Sequence, residues 1–219
     1  METLQKFITW MPLLLDGALI TISLTVLAVS AGLVLGIFLA LGKISNNPLI
    51  NKPCSAYIFF FRGTPLLMQL LFIYYVLPIA VPFLTINNRF IAAFIAFSLN
   101  SAAYSAEIIR AGIQSIDKGQ YEASRSLGLS YFQTMRFVIF PQSIRRLIPP
   151  VGNEFIMMLK DTSLVSIIAL VDITRVTRRI HDATSSMLIY IPALILYLII
   201  TAVFTFIFRK LENKYSVYM

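Results

Sequence analysis

The sequence predicts an all-α integral membrane protein with about five transmembrane helices. Apolar residues make up 58% of its 219 positions, and its mean hydropathy is +0.81. Both values lie far outside the range of soluble domains. The apolar residues are gathered in runs of about 20, the length that crosses a bilayer as a helix. We therefore expect one membrane domain over residues 1–219.

Five apolar runs define the predicted spans. The first is too long for the core of a signal peptide and lacks a cleavage site, so we expect it to be retained as a helix. Ahead of it, residues 1–16 are predicted to lie along the membrane surface, with Trp10 as an interfacial anchor. Gly32 and Gly36 favour close contact between helices. The predicted spans are about 18–41, 55–84, 90–109, 148–171 and 187–208.

The sequence Arg62-Gly63-Thr64-Pro65 interrupts the second span. Pro65 removes a backbone donor and Gly63 weakens a helix, so a kink or broken turn is predicted here. Irregular backbone at membrane depth is tolerated where it lines a cavity. Leu67 and Gln69 follow directly, and we therefore interpret them as candidates for contact with a solute.

Asn100, Tyr104 and Glu107 share one face of the third span. Asn100 and Tyr104 lie near its middle and are candidates to bind a polar solute. Asn100 equally suits a bridge between helices. Glu107 lies nearer the end of the span and is expected to pair with Arg110, three residues further on.

The fourth span contains charged side chains, which are costly in lipid and need a partner or a function. Glu154 and Asp161 are seven residues apart and fall on one face. Lys160 is expected to pair with Asp161 or another carboxylate. Glu154 has no nearby cation in the sequence, so protonation, a partner from another helix or a cationic ligand must compensate its charge. Asn153 and Met158 are further candidate contacts, although Met158 equally suits the core or the lipid.

The segment 121–141 is a polar, charged stretch between apolar runs. It predicts two short helices: Gly128 is a natural left-handed stop for the first, Ser130 can cap the second, and Pro141 is expected to end it. The apolar residues of the second helix fall largely on one face. Such a segment lies along a membrane surface or in the groove of a partner.

The residues Glu122-Ala123-Ser124, three more, Gly128, nine more, and the sequence VIFP ending at Pro141 resemble a known motif. It is the EAA loop of binding-protein-dependent ABC importer permeases, E-A-A-x3-G-x9-I-x-L-P. This chain has Ser124 for alanine, Val138 for isoleucine and Phe140 for leucine. The stretches RGTPLLMQL and NEFIMMLKDTSL resemble those of polar amino-acid permeases.

The resemblance implies a type I ABC importer permease fold in the bacterial inner membrane. The loop would form a coupling helix that sits in a cleft of a separate ATPase subunit, which binds ATP and Mg. Further implied partners are a second permease copy, as homodimer or close homologue, and an extracytoplasmic amino-acid-binding protein. The implied coupling residues are Glu122, Ala123, Ser124, Arg125, Gly128 and Pro141.

The resemblance also implies a polar amino acid as the substrate. We predict that Glu154 binds the guanidinium or ammonium group of arginine, lysine or histidine; glutamine or another polar amino acid is the alternative. The candidate substrate-binding residues are Leu67, Gln69, Asn100, Tyr104, Asn153, Glu154, Met158 and Asp161.

The distribution of basic residues predicts the orientation. Lys and Arg outnumber Asp and Glu 18 to 10. With five spans, the side that carries the EAA loop collects 12 basic residues against 5 on the other side. This favours a cytoplasmic loop and C-terminus and an extracytoplasmic N-terminus.

The sequence lacks the motifs and residue clusters that several other function classes require. The sequence has no G-x4-G-K-[ST] loop, so we expect no nucleotide cofactor and no enzymatic activity in this chain. His181 and Cys54 are each the single residue of their type, which argues against a metal site, an internal disulfide and a membrane enzyme. An ion channel without an ATPase remains an alternative, but it would need a filter of repeated polar groups.

Overall fold

The computed structural model describes residues 2–216, and most of these residues lie in helices joined by short turns. Within that range, side chains are described for residues 5–215. The α-helices are α1 Glu2–Ile44, α2 Pro48–Gly63, α3 Leu66–Leu71, α4 Leu77–Ala80, α5 Arg89–Gln114, α6 Lys118–Ser126, α7 Tyr131–Thr134, α8 Phe140–Asp161, α9 Ile173–Thr184 and α10 Tyr190–Ser216.

The first helix is continuous from Glu2 to Ile44, with Pro12 inside it. The predicted surface segment over 1–16 is therefore not separate from the predicted span over 18–41, because one helix from Glu2 onward contains both. Trp10 is not an interfacial anchor either, because it is buried against α9 and α10 in a cluster with Leu14 and Ile173. These helices cover the face of the N-terminal turns that carries Trp10 and Leu14, whereas Ile8 and Leu13 on the other faces remain exposed.

Helices α1 and α5 pack closely against each other. A Cβ atom added at Gly36 would lie 2.7 Å from Cβ of Ser105, and one at Gly32 would lie 2.7 Å from Cβ of Ser101. Glycine is needed at both positions because the two backbones approach so closely. The predicted role of the two glycines in helix packing is confirmed.

The second predicted span is broken at Thr64 and Pro65. Both residues are extended, and α2 and the segment from Leu66 to Ala80 differ in direction by 104°. The second segment contains a π-helical turn, Phe72–Val76, and is followed by a 3-10 turn, Pro82–Leu84. The predicted break is confirmed, and it turns the chain by slightly more than a right angle.

The polar segment begins with α6, which is capped by Asp117 and followed by Gly128 at a φ of +80°. Ser130 then starts α7 with a capping box to Gln133. These predictions are confirmed. Pro141 does not end the second helix, however, because it lies in the first turn of α8. The preceding π-helical turn, Met135–Ile139, already departs from regular α-helical hydrogen bonding, and proline is tolerated in a first turn.

The fourth predicted span differs from the observed helix. Residues 148–171 were expected to be helical, but α8 ends at Asp161 and a 3-10 helix, Thr162–Ile168, follows it. Within residues 2–216, three helices are long and apolar enough to cross a membrane, and the bent pair would add a fourth. Helix α8 is not counted among these apolar helices because it contains five charged residues: Arg145, Arg146, Glu154, Lys160 and Asp161.

Helix α9 and the polar segment lie at opposite ends of α1. Gly17 contacts the backbone of Asp172 at the start of α9. Leu41 and Ile44 instead share a cavity with Tyr121 of α6. The polar segment is therefore positioned at the same end of α1 as Lys43, as the predicted topology requires.

Candidate functional site

A cavity of about 480 Å³ lies between the break in the second span, α5 and α8. The break exposes its extended residues to this space, while α5 and α8 supply polar side chains. The volume suits a small solute. Its polar and charged side chains are Arg62, Thr64, Asn100, Tyr104, Glu154 and Asp161.

Glu154 is a buried carboxylate on the wall of this cavity. Its residue is 7% exposed, and its Oε1 accepts a hydrogen bond from Oγ of Ser101 on α5 at 3.0 Å. No cationic side chain of residues 5–215 lies within 4 Å of it. A neutral hydroxyl compensates an ionised carboxylate only in part. Of the three expected compensations, a partner from another helix is thus present but neutral, and protonation or a cationic ligand would supply the rest.

Asp161 lines the same cavity, which confirms that Glu154 and Asp161 share a face. The predicted ion pair with Lys160 is not formed: no ion pair within 4 Å joins the two in the described part of the chain. Lys160 is exposed and lines a separate cavity with Tyr197. Adjacent residues are about 100° apart around a helix, which separates the two side chains.

Asn100 and Gln69 stabilise the break in the second span through side-chain hydrogen bonds. Nε2 of Gln69 donates to the carbonyl oxygens of Phe61 at 2.9 Å and Thr64 at 3.1 Å, and to Oγ1 of Thr64 at 2.8 Å. Nδ2 of Asn100 donates to Oε1 of Gln69 at 3.0 Å and to Phe61 at 3.1 Å. These bonds satisfy carbonyls that the broken helix leaves unpaired.

This arrangement changes the expected roles of both amides. Gln69 is buried and is not among the residues that line the cavity, so the prediction that it faces a solute is not supported. Asn100 does line the cavity, but its amide hydrogens are directed to the break. Of the two alternatives left open for Asn100, the structure shows the bridge between helices.

The remaining predicted contacts divide into two groups. Leu67, Tyr104 and Met158 line the cavity. Asn153 is exposed and lies outside the cavity, because it is one residue from Glu154 and therefore points in another direction. The apolar side chains would contact the uncharged stem of a bound solute.

Arg62 is a cavity residue that the sequence interpretation missed. It was counted only as a basic residue that reports topology. Its guanidinium lies 5.4 Å from the centre of the Tyr104 ring, at the edge of the break. Its position inside an apolar run, directly before Gly63, was the signal that could have identified it.

Glu107 lies beyond Tyr104 in a cluster of three cations. It accepts two hydrogen bonds from Arg110, at 3.1 Å from Nε and 2.8 Å from Nη2, which confirms the predicted pair. Lys43 at the end of α1 bonds to its other oxygen, and Arg62 lies 3.8 Å away. The cluster ties the ends of α1 and α2 to α5.

The polar segment presents most of its predicted coupling residues to solvent. Glu122, Ala123, Arg125 and Gly128 are exposed. Ser124 is buried, and its Oγ donates to the carbonyl of Gln120 at 2.6 Å. Ser124 is therefore covered within the chain itself, where α6 packs against α7 and the π-helical turn. A small side chain at this position allows α6 to lie close to the rest of the protein.

A helical membrane bundle with a charged, solute-sized cavity and an exposed polar segment at one end defines a transport permease. The chain belongs to the family of binding-protein-dependent transport system inner membrane components, whose model matches residues 32–217. Proteins of this family are multi-pass permease subunits of ABC transporters, in which the ATPase is a separate subunit. The EAA-loop family and the fold predicted from the sequence are confirmed.

Curated relatives and solved structures agree with this assignment. The chain is 40% identical over 207 residues to the glutamine transport system permease protein GlnP of Escherichia coli K12, covering 94% of each chain. It is also 40% identical to the arginine transport system permease protein ArtQ of Bacillus subtilis 168, covering 93% of this chain and 92% of the relative.

A solved structure described as an amino acid ABC transporter with histidines matches with a TM-score of 0.89 and 42% identity, covering 96% of this chain and 97% of that one. The MetNI methionine ABC transporter, in inward-facing conformations, shares the fold at a TM-score of 0.79 and 18% identity over 94% of this chain and 97% of that one. The chain is thus an amino-acid ABC importer permease.

Proposed function

We propose that this chain forms the membrane pathway for basic amino acids, namely arginine, lysine or histidine. The observation that carries the proposal is the buried carboxylate of Glu154, which faces the cavity with a neutral hydroxyl as its hydrogen-bond donor. Asp161 adds a second carboxylate to the same wall. A guanidinium or ammonium group placed between them would supply the missing charge.

The helix that carries these carboxylates also reaches the polar segment. From Tyr131 to Asp161 the chain is helical without interruption, through α7, the π-helical turn and α8. At about 1.5 Å per residue this rod is roughly 45 Å long. Movement of the polar segment by an ATPase would therefore shift Glu154 directly. This continuity supports alternating access driven from the coupling helix.

The assembly that we propose contains two permease copies, two ATPase subunits and an extracytoplasmic binding protein. ATP and Mg would be bound by the ATPase, and Glu122, Ala123, Arg125 and Gly128 would face its cleft. Their exposure supports this role. We place the C-terminus and the polar segment in the cytoplasm and the N-terminus outside, on the excess of basic residues.

Glutamine is the second candidate substrate. The relatives named for glutamine and for arginine are each 40% identical to this chain, so overall similarity favours neither. Glutamine is uncharged in its side chain but has an α-ammonium group, which could approach Glu154 as well.

Uptake by proteoliposomes tests the function. The permease is reconstituted with the ATPase and binding protein of its own organism, with ATP on the ATPase side, and accumulation of radiolabelled arginine and glutamine is measured. We expect arginine to accumulate only with ATP and the ATPase present. Accumulation of glutamine alone would favour the alternative substrate. Arginine flux without ATP or the ATPase would contradict an importer and indicate a channel.

A further inference from the structure

Arg62 lies next to the break in the second span, between two cavities. It occupies the last turn of α2, and its side chain lines both the main cavity and a neighbouring one of about 350 Å³ that also contacts Lys43 and Tyr104. The side chain is 44% exposed, well above the values for the other cations near Glu107. Arg62 is thus the accessible member of the cationic cluster.

The guanidinium of Arg62 is only loosely held by the protein. The Glu107 carboxylate is already engaged by Lys43 and by two hydrogen bonds from Arg110, and Arg62 lies at 3.8 Å, too far for a hydrogen bond. None of the residues described accepts a hydrogen bond from Arg62, whose contact with Tyr104 is through the ring face. Its planar fork of five donors is therefore available to a carboxylate.

The two charged ends of the cavity lie at different levels of α5. Glu154 is hydrogen-bonded to Ser101, whereas Arg62 lies over Tyr104. Three residues along an α-helix correspond to about 4.5 Å. The cavity thus has an anionic group at one level and a cationic group at the next. A free amino acid carries the same pair of charges, a carboxylate and at least one cation.

We propose that Arg62 binds the α-carboxylate of the substrate while Glu154 binds its cationic group. This assignment rests on the proposed function, because it concerns the same cavity, and it identifies Arg62 as the residue that distinguishes amino acids from simple amines. Glu107 and Tyr104 orient the guanidinium towards the cavity. The carboxylate of the substrate completes the hydrogen bonding that the protein leaves open.

The test compares ligands that differ only by the carboxylate. Arginine and agmatine, its decarboxylated form, are measured by equilibrium binding to the purified permease–ATPase complex, as are glutamine and 4-aminobutanamide. The variants are Arg62→Gln, Arg62→Lys and, as a matched control, Arg110→Gln, which removes the other guanidinium at Glu107 but does not line the main cavity.

We expect wild type and Arg110→Gln to bind arginine at least roughly tenfold more tightly than agmatine, since a charged hydrogen-bonded pair contributes about that factor or more. In Arg62→Gln this preference should fall at least roughly tenfold, because arginine binds more weakly while agmatine, a dication that Arg62 repels, binds equally well or more tightly. Arg62→Lys, which keeps the charge without the fork, should retain part of the preference.

Other outcomes would overturn the assignment. If Arg62→Gln keeps the preference for arginine over agmatine, or if it weakens the binding of both ligands equally, Arg62 has only a structural role. The proposed function would stand in both cases, because wild-type arginine binding would be intact. If wild type binds neither amino acid, the membrane site itself fails, and the role of Arg62 fails with it.

Discussion

The side-chain amides of Asn100 and Gln69 meet at 3.0 Å, where α5 passes the start of α3. This contact joins residues 31 positions apart. Gln69 also donates hydrogen bonds to carbonyl oxygens at the break in the second span. Backbone groups at membrane depth must be satisfied within the protein. The pair therefore makes a sharp break possible where lipid would otherwise demand a continuous helix.

Replacing Gln69 should destabilise this break. In Gln69→Leu the carbonyls of Phe61 and Thr64 lose a donor, and Asn100 loses an acceptor. We expect the free energy of unfolding to fall by about 1–3 kcal/mol. Thermal unfolding of the detergent-solubilised protein measures the effect, with Met68→Leu as the control because Met68 is 59% exposed. A Gln69→Leu variant as stable as the control would contradict the role.

The left-handed backbone at Gly128 should be required for coupling. Its φ is +80°, and a Cβ atom there would meet nothing within 4 Å, so any effect of substitution must come from the backbone. A β-branched residue in this region costs about 1–2 kcal/mol or more, whereas asparagine tolerates it. We expect Gly128→Val to lose most ATP-driven uptake and Gly128→Asn to retain most of it, with arginine binding unchanged in both.

Uptake and equilibrium binding, measured on the same preparations, separate coupling from substrate recognition. Equal losses of uptake in Gly128→Val and Gly128→Asn would contradict the backbone explanation and indicate that a partner surface tolerates no side chain at this position. Weaker arginine binding in either variant would show that the change reaches the cavity.

Local signals in the sequence predicted much of the fold. Pro65 and Gly63 predicted the break, Gly128 and Ser130 predicted the turn and cap of the polar segment, and Gly36 predicted a close helix contact. The break, the turn and the cap depend on the residue itself or on neighbours within one helical turn, so intrinsic backbone preferences decide them. Gly36 was predictable for another reason: it has no side chain to keep a second helix away.

Two of the features that the sequence did not predict depend on distant residues, and a third depends on an irregular helical turn. Trp10 was expected at a membrane interface but is covered by α9, more than 160 positions later. Gln69 was expected to face a solute but finds its partner on α5. Pro141 continues a helix because the π-helical turn before it changes the local hydrogen bonding. Tertiary packing overrides local preference at Trp10 and Gln69, whereas at Pro141 the cause is the adjacent π-helical turn.

The candidate site was predicted in part. The shared face of Glu154 and Asp161 follows from helical spacing, and both line the cavity. The position of Arg62 in the same cavity depends on the direction in which α2 leaves the break, which no local pattern specifies. The failed pair between Lys160 and Asp161 shows the reverse: proximity in sequence does not ensure contact on a helix.

The central claim is that the negative charge of Glu154 binds the cationic group of the substrate. Equilibrium binding of radiolabelled arginine to the purified permease–ATPase complex tests this claim most directly. Wild type is compared with Glu154→Gln, which keeps the shape of the side chain, and with Glu212→Gln as an exposed control. We predict that the Kd for arginine rises at least roughly tenfold in Glu154→Gln only. Equal arginine affinity in all three proteins would contradict a carboxylate site for basic amino acids.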